Sequence, residues 1–268
     1  MRVLSATACT GRSFDEFLEI YQILKDPLQL SAAELAVGIS FTIDDIPKIK
    51  QAGIDTVLWH DAFWFVDGKK QETYPSVAHE YFALHKLFCD ADINVPLWSI
   101  HPYKTHKPQA AWADALYHKF CEEWWGDLDY ILPRDDNPES SYHYAVRDFS
   151  IVFENMLPNA PCYNNLESIL QSDIYHKGFC IDYSHVNIWT RNNREQTISQ
   201  SLLATTRARE IHLSSNKGHR DSHDYIEENE WFLPYLDSLE QVYPHLYITY
   251  ESLPVQYKQY GRLDKRCA

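Results

Sequence analysis

The chain has 268 residues, with 38 acidic and 24 basic side chains and a formal charge of −14 when histidine is neutral. Apolar residues make up 45% of the sequence and aromatic residues 14%, which is enough for a large core and excludes an intrinsically disordered protein. The negative charge argues against nucleic acid as a partner, because phosphate backbones are bound mainly through Lys and Arg. Two further features are unusual: glycine is scarce, with 8 residues, and histidine is abundant, with 13.

Neither end of the sequence nor its cysteines indicate an export or membrane signal. The start of the chain is typical of a short strand and not of a signal peptide. No window approaches the ~18 uninterrupted apolar residues that a membrane span requires. The 6 cysteines are scattered and form no C-x-x-C pair, which indicates reduced thiols. We therefore expect a cytoplasmic protein with no membrane partner.

Short apolar runs alternate along the chain with longer segments of helical periodicity. The predicted strands are 34–41, 56–59, 95–100, 129–132, 151–153, 179–181, 210–213 and 246–250. The predicted helices are 43–52, 77–91, 110–125, 142–148, 166–172, 195–207 and 227–242. Eight strands joined by seven helices predict one α/β domain over residues 1–268, a (β/α)8 TIM barrel.

Residues 1–33 leave an alternative open. They contain one more predicted strand, 2–8, and one more predicted helix, 14–24. They are either an N-terminal extension or the first βα unit of the barrel, and the second alternative shifts the number of every later strand by one. Residues 255–268 are predicted to form a C-terminal tail.

Residue types that bind metals follow most of the predicted strands. In a (β/α)8 barrel the C-terminal ends of all strands meet at one mouth. The side chains at these ends are His60, His101, Asp135, Asp136, Glu154, Asp182, His212 and Glu251. The loops beyond them add His185 in a D-x-x-H motif and the pair Asp221 and His223 in a D-x-H motif. Because imidazole and carboxylate groups are ligands for divalent metals, the pattern predicts a metal site.

The order of these motifs, from about residue 34 to 254, resembles the xylose-isomerase-like TIM-barrel superfamily. That superfamily includes sugar isomerases and epimerases, apurinic-site endonucleases, and multinuclear non-haem iron oxidases that modify peptide cysteines. The resemblance implies a shared central metal bound by Glu154, Asp182, His212 and Glu251. It also implies a further metal, found in the endonuclease and oxidase branches, bound by His185, Asp221 and His223.

The same comparison places His101 where those two branches carry a histidine after strand three. They carry another histidine after strand four, where this sequence has Leu132-Pro133-Arg134-Asp135. A full three-metal cluster is therefore not expected from the sequence unless Asp135 or Asp136 substitutes for that histidine.

The first functional interpretation is a sugar or sugar-phosphate isomerase or epimerase that uses Mn, Mg, Co or Zn. The metal would stabilise an enediolate, and Glu154 and Glu251 would transfer the proton. His185, Lys217 and Arg220 would bind the hydroxyls or phosphate of a small sugar substrate.

The alternative interpretation is a multinuclear non-haem iron oxidase that modifies a peptide cysteine delivered by a partner protein. The number of metals then lies between one and three per chain. An apurinic-site endonuclease is disfavoured by the charge of −14. A binding subunit without catalysis and a homo-oligomer also remain open at this point.

Overall fold

A computed structural model describes residues 1–36, 39–60, 78–101, 150–160, 163–172 and 178–263 of the chain. Eight parallel strands form a closed barrel in chain order. They are β1 (Arg2–Ser5), β2 (Leu30–Leu35), β3 (Val57–His60), β4 (Leu97–Ile100), β5 (Ser150–Glu154), β6 (Phe179–Asp182), β7 (Ala208–Leu213) and β8 (Tyr247–Tyr250). The predicted (β/α)8 fold is confirmed.

The first barrel strand comes from the N-terminal residues. Strand β1 pairs in parallel with β2 on one side and with β8 on the other, which closes the barrel. Strand β4 pairs directly with β5, so the barrel is complete without the predicted strand 129–132, which lies outside the described residues. Residues 1–33 are therefore the first βα unit of the barrel and not an N-terminal extension. As a result, the numbers inferred from the sequence for the strands 34–41, 56–59 and 95–100 are each too low by one.

Helices surround the strands. In the described residues they are α1 (Phe14–Leu24), α2 (Ile46–Gln51), α3 (Ala78–Asp90), α4 (Leu166–Leu170), α5 (Tyr183–Trp189), α6 (Arg194–Thr205) and α7 (Leu236–Val242). Short 3-10 turns occupy Ala6–Cys9, Ile43–Asp45, Leu233–Tyr235 and Val255–Tyr260. The predicted helices 110–125 and 142–148 lie outside the described residues.

Among the differences from the prediction, two boundaries and one unpredicted helix have local reasons. The helix predicted over 227–242 begins only at Leu236, because Pro234 within the preceding 3-10 turn lacks a backbone N–H and restricts the residue before it. Strand β2 begins four residues earlier than predicted, in a run whose alanines carry little strand signal. The unpredicted helix α5 begins directly after β6, where Asp182 accepts a hydrogen bond from the backbone N–H of Ser184.

The barrel interior has two layers that follow the strand period of two residues. The lower layer contains a small buried apolar cluster, formed by Val3, Ala32, Leu58, Leu97, Val152 and Cys180. The buried Glu210 lies at the same level, in register with Cys180. Two residues further along the same six strands come Ser5, Glu34, His60, Ser99, Glu154 and Asp182, all of them buried. The fold thus places a polar layer on an apolar base, at the carboxyl ends of the strands.

No helix in the described part of the chain is long and apolar enough to span a membrane. Cys9, Cys89 and Cys180 are free thiols. Cys121, Cys162 and Cys267 lie outside the described residues.

The position of β1 in the barrel predicts a large effect of mutating it. Leu4 is fully buried in the core, so Leu4→Ala should lower the free energy of unfolding by about 2–5 kcal/mol. Ile23 on α1 is 48% exposed, and Ile23→Ala should change the free energy of unfolding by at most about 0.5 kcal/mol. Urea unfolding of both variants measures the difference. Equal effects would contradict the assignment of residues 2–5 to the core.

Candidate metal centre

The Glu154 carboxylate, at the end of β5, lies among imidazole rings. Its Oε2 atom is 3.0 Å from Nε2 of His101 and 3.6 Å from Nε2 of His60. The same oxygen is 3.6 Å from Nδ1 of His212, and Oε1 is 3.4 Å from Nδ1 of His185. Glu154 is 1% exposed, so these rings and not water surround its charge.

The cluster continues from His185 to the end of β8. Nε2 of His185 is 3.4 Å from Oδ2 of Asp182 and 3.4 Å from Oδ2 of Asp221. Asp221 is 3.0 Å from Nε2 of His223, whose Nδ1 is 3.7 Å from Oε2 of Glu251. The structure therefore brings together all eight side chains predicted as ligands, which are His101, Glu154, Asp182, His185, His212, Asp221, His223 and Glu251.

Several of these buried atoms approach each other without forming hydrogen bonds. Oε2 of Glu251 lies 3.4 Å from Nδ1 of His212, yet neither atom has a hydrogen-bond partner in the described residues. The same holds for Oε2 of Glu154. An unsatisfied buried polar atom costs roughly 1–3 kcal/mol. Nitrogen and oxygen lone pairs that converge in this way are the donor set of a divalent metal, so the residues present fit a metal.

Within the described residues, four groups of three side chains have ligand atoms within 4.8 Å of one another. They are Glu34–His60–His212, His60–His101–Glu154, Glu154–Cys180–His212 and Glu154–Asp182–His185. Three of the four contain Glu154. The described residues could therefore hold a metal at more than one point, with Glu154 in common.

Hydrogen bonds to the outer nitrogens orient two of the rings. Oγ of Ser99 donates to the carbonyl of Trp59, so it accepts at 2.9 Å from Nδ1–H of His60, and the lone pair of Nε2 is left to face Glu154. Nδ1–H of His185 donates to the carbonyl of Asn155 at 2.6 Å, because a carbonyl oxygen only accepts. This leaves Nε2 of His185 as the ligand atom. Such contacts are typical of histidines that bind metals.

The turn after β6 explains how a D-x-x-H motif presents both groups to one site. Asp182 is the N-cap of α5, with Oδ1 2.6 Å from the backbone N–H of Ser184. The chain changes from strand to helix at this residue, so His185 returns to the same side as Asp182. The Ser184 hydroxyl lies 3.2 Å from Asp182 and 3.1 Å from Asp221, which links the two motifs.

The loop after β7 carries Asp221 and His223 in a constrained conformation. Ser215 and Asp224 pair as an antiparallel bridge with hydrogen bonds of 3.2 and 2.8 Å. His223 has a φ of 45°, a conformation that costs a residue other than glycine on the order of 1 kcal/mol or more. The Ser252 hydroxyl holds the carbonyl of His223 at 2.9 Å. Strain held in place beside a ligand cluster indicates a functional loop.

Two predicted substrate-binding residues lie on the same loop but apart from the cluster. Lys217 and Arg220 are exposed, and neither forms a hydrogen bond or an ion pair with the described residues. The third, His185, lies inside the cluster. Asp135 and Asp136, which were considered as replacement ligands, lie outside the described residues.

The strand numbering corrects the comparison made from the sequence. Because β1 is Arg2–Ser5, His60 ends the third strand and His101 follows the fourth. His101 is therefore the histidine after strand four, and His60 is the one after strand three. The expectation that the segment Leu132-Pro133-Arg134-Asp135 occupies the position after strand four is wrong. The rings of His60 and His101 lie 4.8 Å apart and both face Glu154, so the histidine that seemed to be missing is present.

Sequence reasoning missed two acids inside the barrel. Oε2 of Glu34 is 3.2 Å and Oε1 of Glu210 is 3.5 Å from Nε2 of His212. The Thr249 hydroxyl donates to Oε1 of Glu210 at 2.6 Å. Glu210 could have been found from its position two residues before His212, because residues at that spacing lie on the same face of a strand. Glu34 could have been found because it is a carboxylate within an apolar run of the sequence.

Charge interactions in the cluster shift its pKa values strongly. Burial lowers the pKa of His185, but Asp182 and Asp221 outweigh burial and raise this pKa to about 10. Burial likewise lowers the pKa of His223, whereas Glu251 and Asp221 raise it to about 9. In the metal-free chain these imidazoles therefore carry protons at neutral pH. A metal ion has to displace those protons in order to bind.

Comparisons by sequence find no matching protein family and no matching curated protein. Comparison of structures finds IolI protein with a bound zinc atom, with 13% identity, a TM-score of 0.57 and coverage of 96% of this chain and 91% of that one. Endonuclease IV from Thermus thermophilus has 11% identity, a TM-score of 0.54 and coverage of 97% and 95%. The 3-keto-D-glucoside 4-epimerase from E. coli has 13% identity, a TM-score of 0.53 and coverage of 97% and 96%. The chain shares the TIM-barrel fold of these structures.

The protonated imidazoles predict how the stability of the metal-free chain depends on pH. A histidine whose pKa is raised from about 6.5 on folding stabilises the folded state below pH 6.5, and this contribution is lost as the pH rises through the folded-state pKa. Because the folded-state pKa values of His185 and His223 are about 10 and 9, the Tm of the chelator-treated protein should fall between pH 6.5 and 8.5. Calorimetry at several pH values measures this, and His223→Asn should reduce the slope. A Tm that rises over this range would contradict the protonated cluster.

Proposed function

We propose that the chain is a metal-dependent enzyme whose centre binds more than one metal ion. The observation that carries this proposal is that three of the four candidate ligand groups contain Glu154. A carboxylate has two oxygens and can bridge two ions, which a single-metal site does not require. His60 and His101 on one side of Glu154, and Asp182 on another, supply ligands for different ions.

We assign the residues to three sets that would hold the metals, and the first set is one of the four compact groups described above. His60 and His101 share Glu154. Asp182, His212 and Glu251 complete the central site with Glu154. His185, Asp221 and His223 form the third set, linked through Oδ2 of Asp221, which lies 3.4 Å from His185 and 3.0 Å from His223.

Among enzymes with such a centre, we propose an iron-dependent oxidase, with which the ligand chemistry is compatible. The five imidazoles suit iron or zinc better than Mg²⁺, which prefers oxygen ligands and water. Iron would supply one-electron and dioxygen chemistry at this site. The protein would keep the histidines deprotonated toward the metals, through Ser99 at His60 and the carbonyl of Asn155 at His185.

The substrate class comes from the resemblance and the charge. In the oxidase branch that the motifs resemble, the substrate is a cysteine of a peptide delivered by a partner protein. The charge of −14 disfavours the phosphodiester substrate of the endonuclease branch. We therefore propose a peptide-modifying iron oxidase.

A sugar isomerase or epimerase is the second candidate, supported by one contact. Nδ1 of His212 lies 3.6 Å from Glu154 and 3.4 Å from Glu251, so these two carboxylates flank a ligand of the central site. With one metal bound, Glu154 and Glu251 would exchange the proton of a hydroxy-carbonyl substrate. This function leaves His60, His101 and His223 without a role, and for that reason it ranks second.

Metal content distinguishes the two candidates. Elemental analysis of the protein as isolated should find at least two irons per chain, with visible absorbance. His60→Asn should lower the metal count by about one, because it removes a ligand that only a multinuclear centre uses. The control is His219→Asn, since His219 is exposed on the loop after β7 and should leave the count unchanged. One Mn, Mg, Co or Zn per wild-type chain, unaffected by His60→Asn, would support the isomerase instead.

The shared carboxylate predicts an effect of Glu154→Gln that is larger than that of other single ligand changes. The amide keeps the size of the side chain but cannot bridge two ions as an anion, so this variant should lose turnover and more than one metal. Glu251→Gln should also lose turnover but only about one metal. Circular dichroism should show that both variants fold. Retention of most activity by either variant would contradict the assigned roles.

A further inference from the structure

We propose that Glu34 and Glu210 are positioning residues that hold His212 from inside the barrel, so that its Nδ1 atom faces the metals. This inference rests on the proposed metal centre and adds two residues to it. Neither carboxylate is among the predicted ligands. Both are fully buried, Glu34 near the end of β2 and Glu210 two residues before His212 on β7.

His212 connects the metal centre with the barrel interior. Its Nδ1 atom faces Glu154 and Glu251, at 3.6 and 3.4 Å. Its Nε2 atom faces Glu34 and Glu210, at 3.2 and 3.5 Å. The two nitrogens of one ring thus meet two separate pairs of carboxylates, Glu154 and Glu251 at Nδ1 and Glu34 and Glu210 at Nε2.

The presence of the Glu34 and Glu210 carboxylates in the barrel interior needs an explanation. Barrel interiors are filled mainly with bulky branched apolar side chains. A buried carboxylate without partners is costly. Neither oxygen of Glu34 has a hydrogen-bond partner among the described residues, and neither has Nε2 of His212, which lies 3.2 Å from Oε2 of Glu34. An apolar residue would fill this place at a lower cost, so the acid indicates a function.

Glu210 is also held in position. The hydroxyl of Thr249 on β8 donates to its Oε1 atom at 2.6 Å, and that same oxygen is the one that faces His212. The contact therefore joins the neighbouring strands β7 and β8, and Glu34 faces the same nitrogen from β2. Because Thr249 and Glu210 are both fully buried, water does not compete with this contact.

The consequence for the metal centre follows from the chemistry of imidazole. A histidine that binds a metal through one nitrogen usually donates its other N–H to a carboxylate, which fixes the tautomer and strengthens the ligand. Here the carboxylates on the Nε2 side favour a proton on Nε2. Nδ1 is then deprotonated and points toward Glu154, Glu251 and the metal they would bind.

Zinc affinity tests the proposal without reference to turnover. Competition with a chelator of known affinity should show that Glu34→Leu and Glu210→Leu weaken zinc binding by about 10–100-fold. Glu34→Gln, which keeps the size and an oxygen acceptor, should weaken it less. The control is Val152→Ala, in the apolar layer of the same interior. It should lower the Tm without changing the zinc affinity.

Nitrogen NMR of histidine-labelled, zinc-loaded protein provides a second readout. The spectrum of His212 should show a proton on Nε2 and zinc on Nδ1 in the wild-type chain and in Glu34→Gln. Zinc on Nε2 would overturn the proposal. So would equal losses of affinity in Glu34→Leu and Val152→Ala, because a purely structural role predicts that result.

The outcomes separate this inference from the proposed function. If the wild-type chain binds zinc and both leucine variants keep its affinity within twofold, only the role of Glu34 and Glu210 is overturned. If the folded wild-type chain binds no zinc, iron or other divalent metal, the proposed function fails and the inference fails with it. Should Glu34→Leu not fold, Glu34→Gln and Glu210→Gln still report the affinity and the tautomer.

Discussion

The contact of the buried Glu154 carboxylate with several imidazoles is the interaction on which the rest of the site depends. Three strands of the barrel bring His60, His101 and His212 to within 3.6 Å of one of its oxygens. Glu154 is almost completely excluded from water, so its charge has to be balanced by protonated imidazoles or by metal ions. Either partner makes the polar layer compatible with burial, and only the metals leave the histidines neutral.

The barrel tolerates this layer because it is built on an apolar base and braced by neutral polar groups. Ser99, the carbonyl of Asn155 and the Thr249 hydroxyl each satisfy one atom of a charged or titratable side chain. Within the described residues, Oε2 of Glu154, Oε2 of Glu251 and Nδ1 of His212 are left without hydrogen bonds. The residues of the lower layer therefore contribute mainly to packing. The residues of the upper layer keep lone pairs available for metal ions.

Much of the fold and most of the site could be predicted from local patterns. Apolar runs at regular intervals predicted a barrel, and the residue types at the strand ends predicted the cluster from His101 to Glu251. The errors came from features without a local signal. Strand β1 is only four residues long, so its place in the barrel depends on pairing with β8, more than 240 residues away. That pairing decides the strand numbers, and with them the correct counterparts of His60 and His101.

The sequence by itself determined the period of the strands and the identity of the groups at their ends, because side chains two residues apart share a face whatever the strand pairs with. It could not determine which of these groups meet across the barrel. Glu34 and Glu210 lie on strands that are far apart in the chain, and only closure of the sheet places both beside Nε2 of His212. The ring orientation of His60, the turn that returns His185 and the contact of Glu154 with its four imidazoles were likewise decided by tertiary structure, since each depends on distances between separate strands.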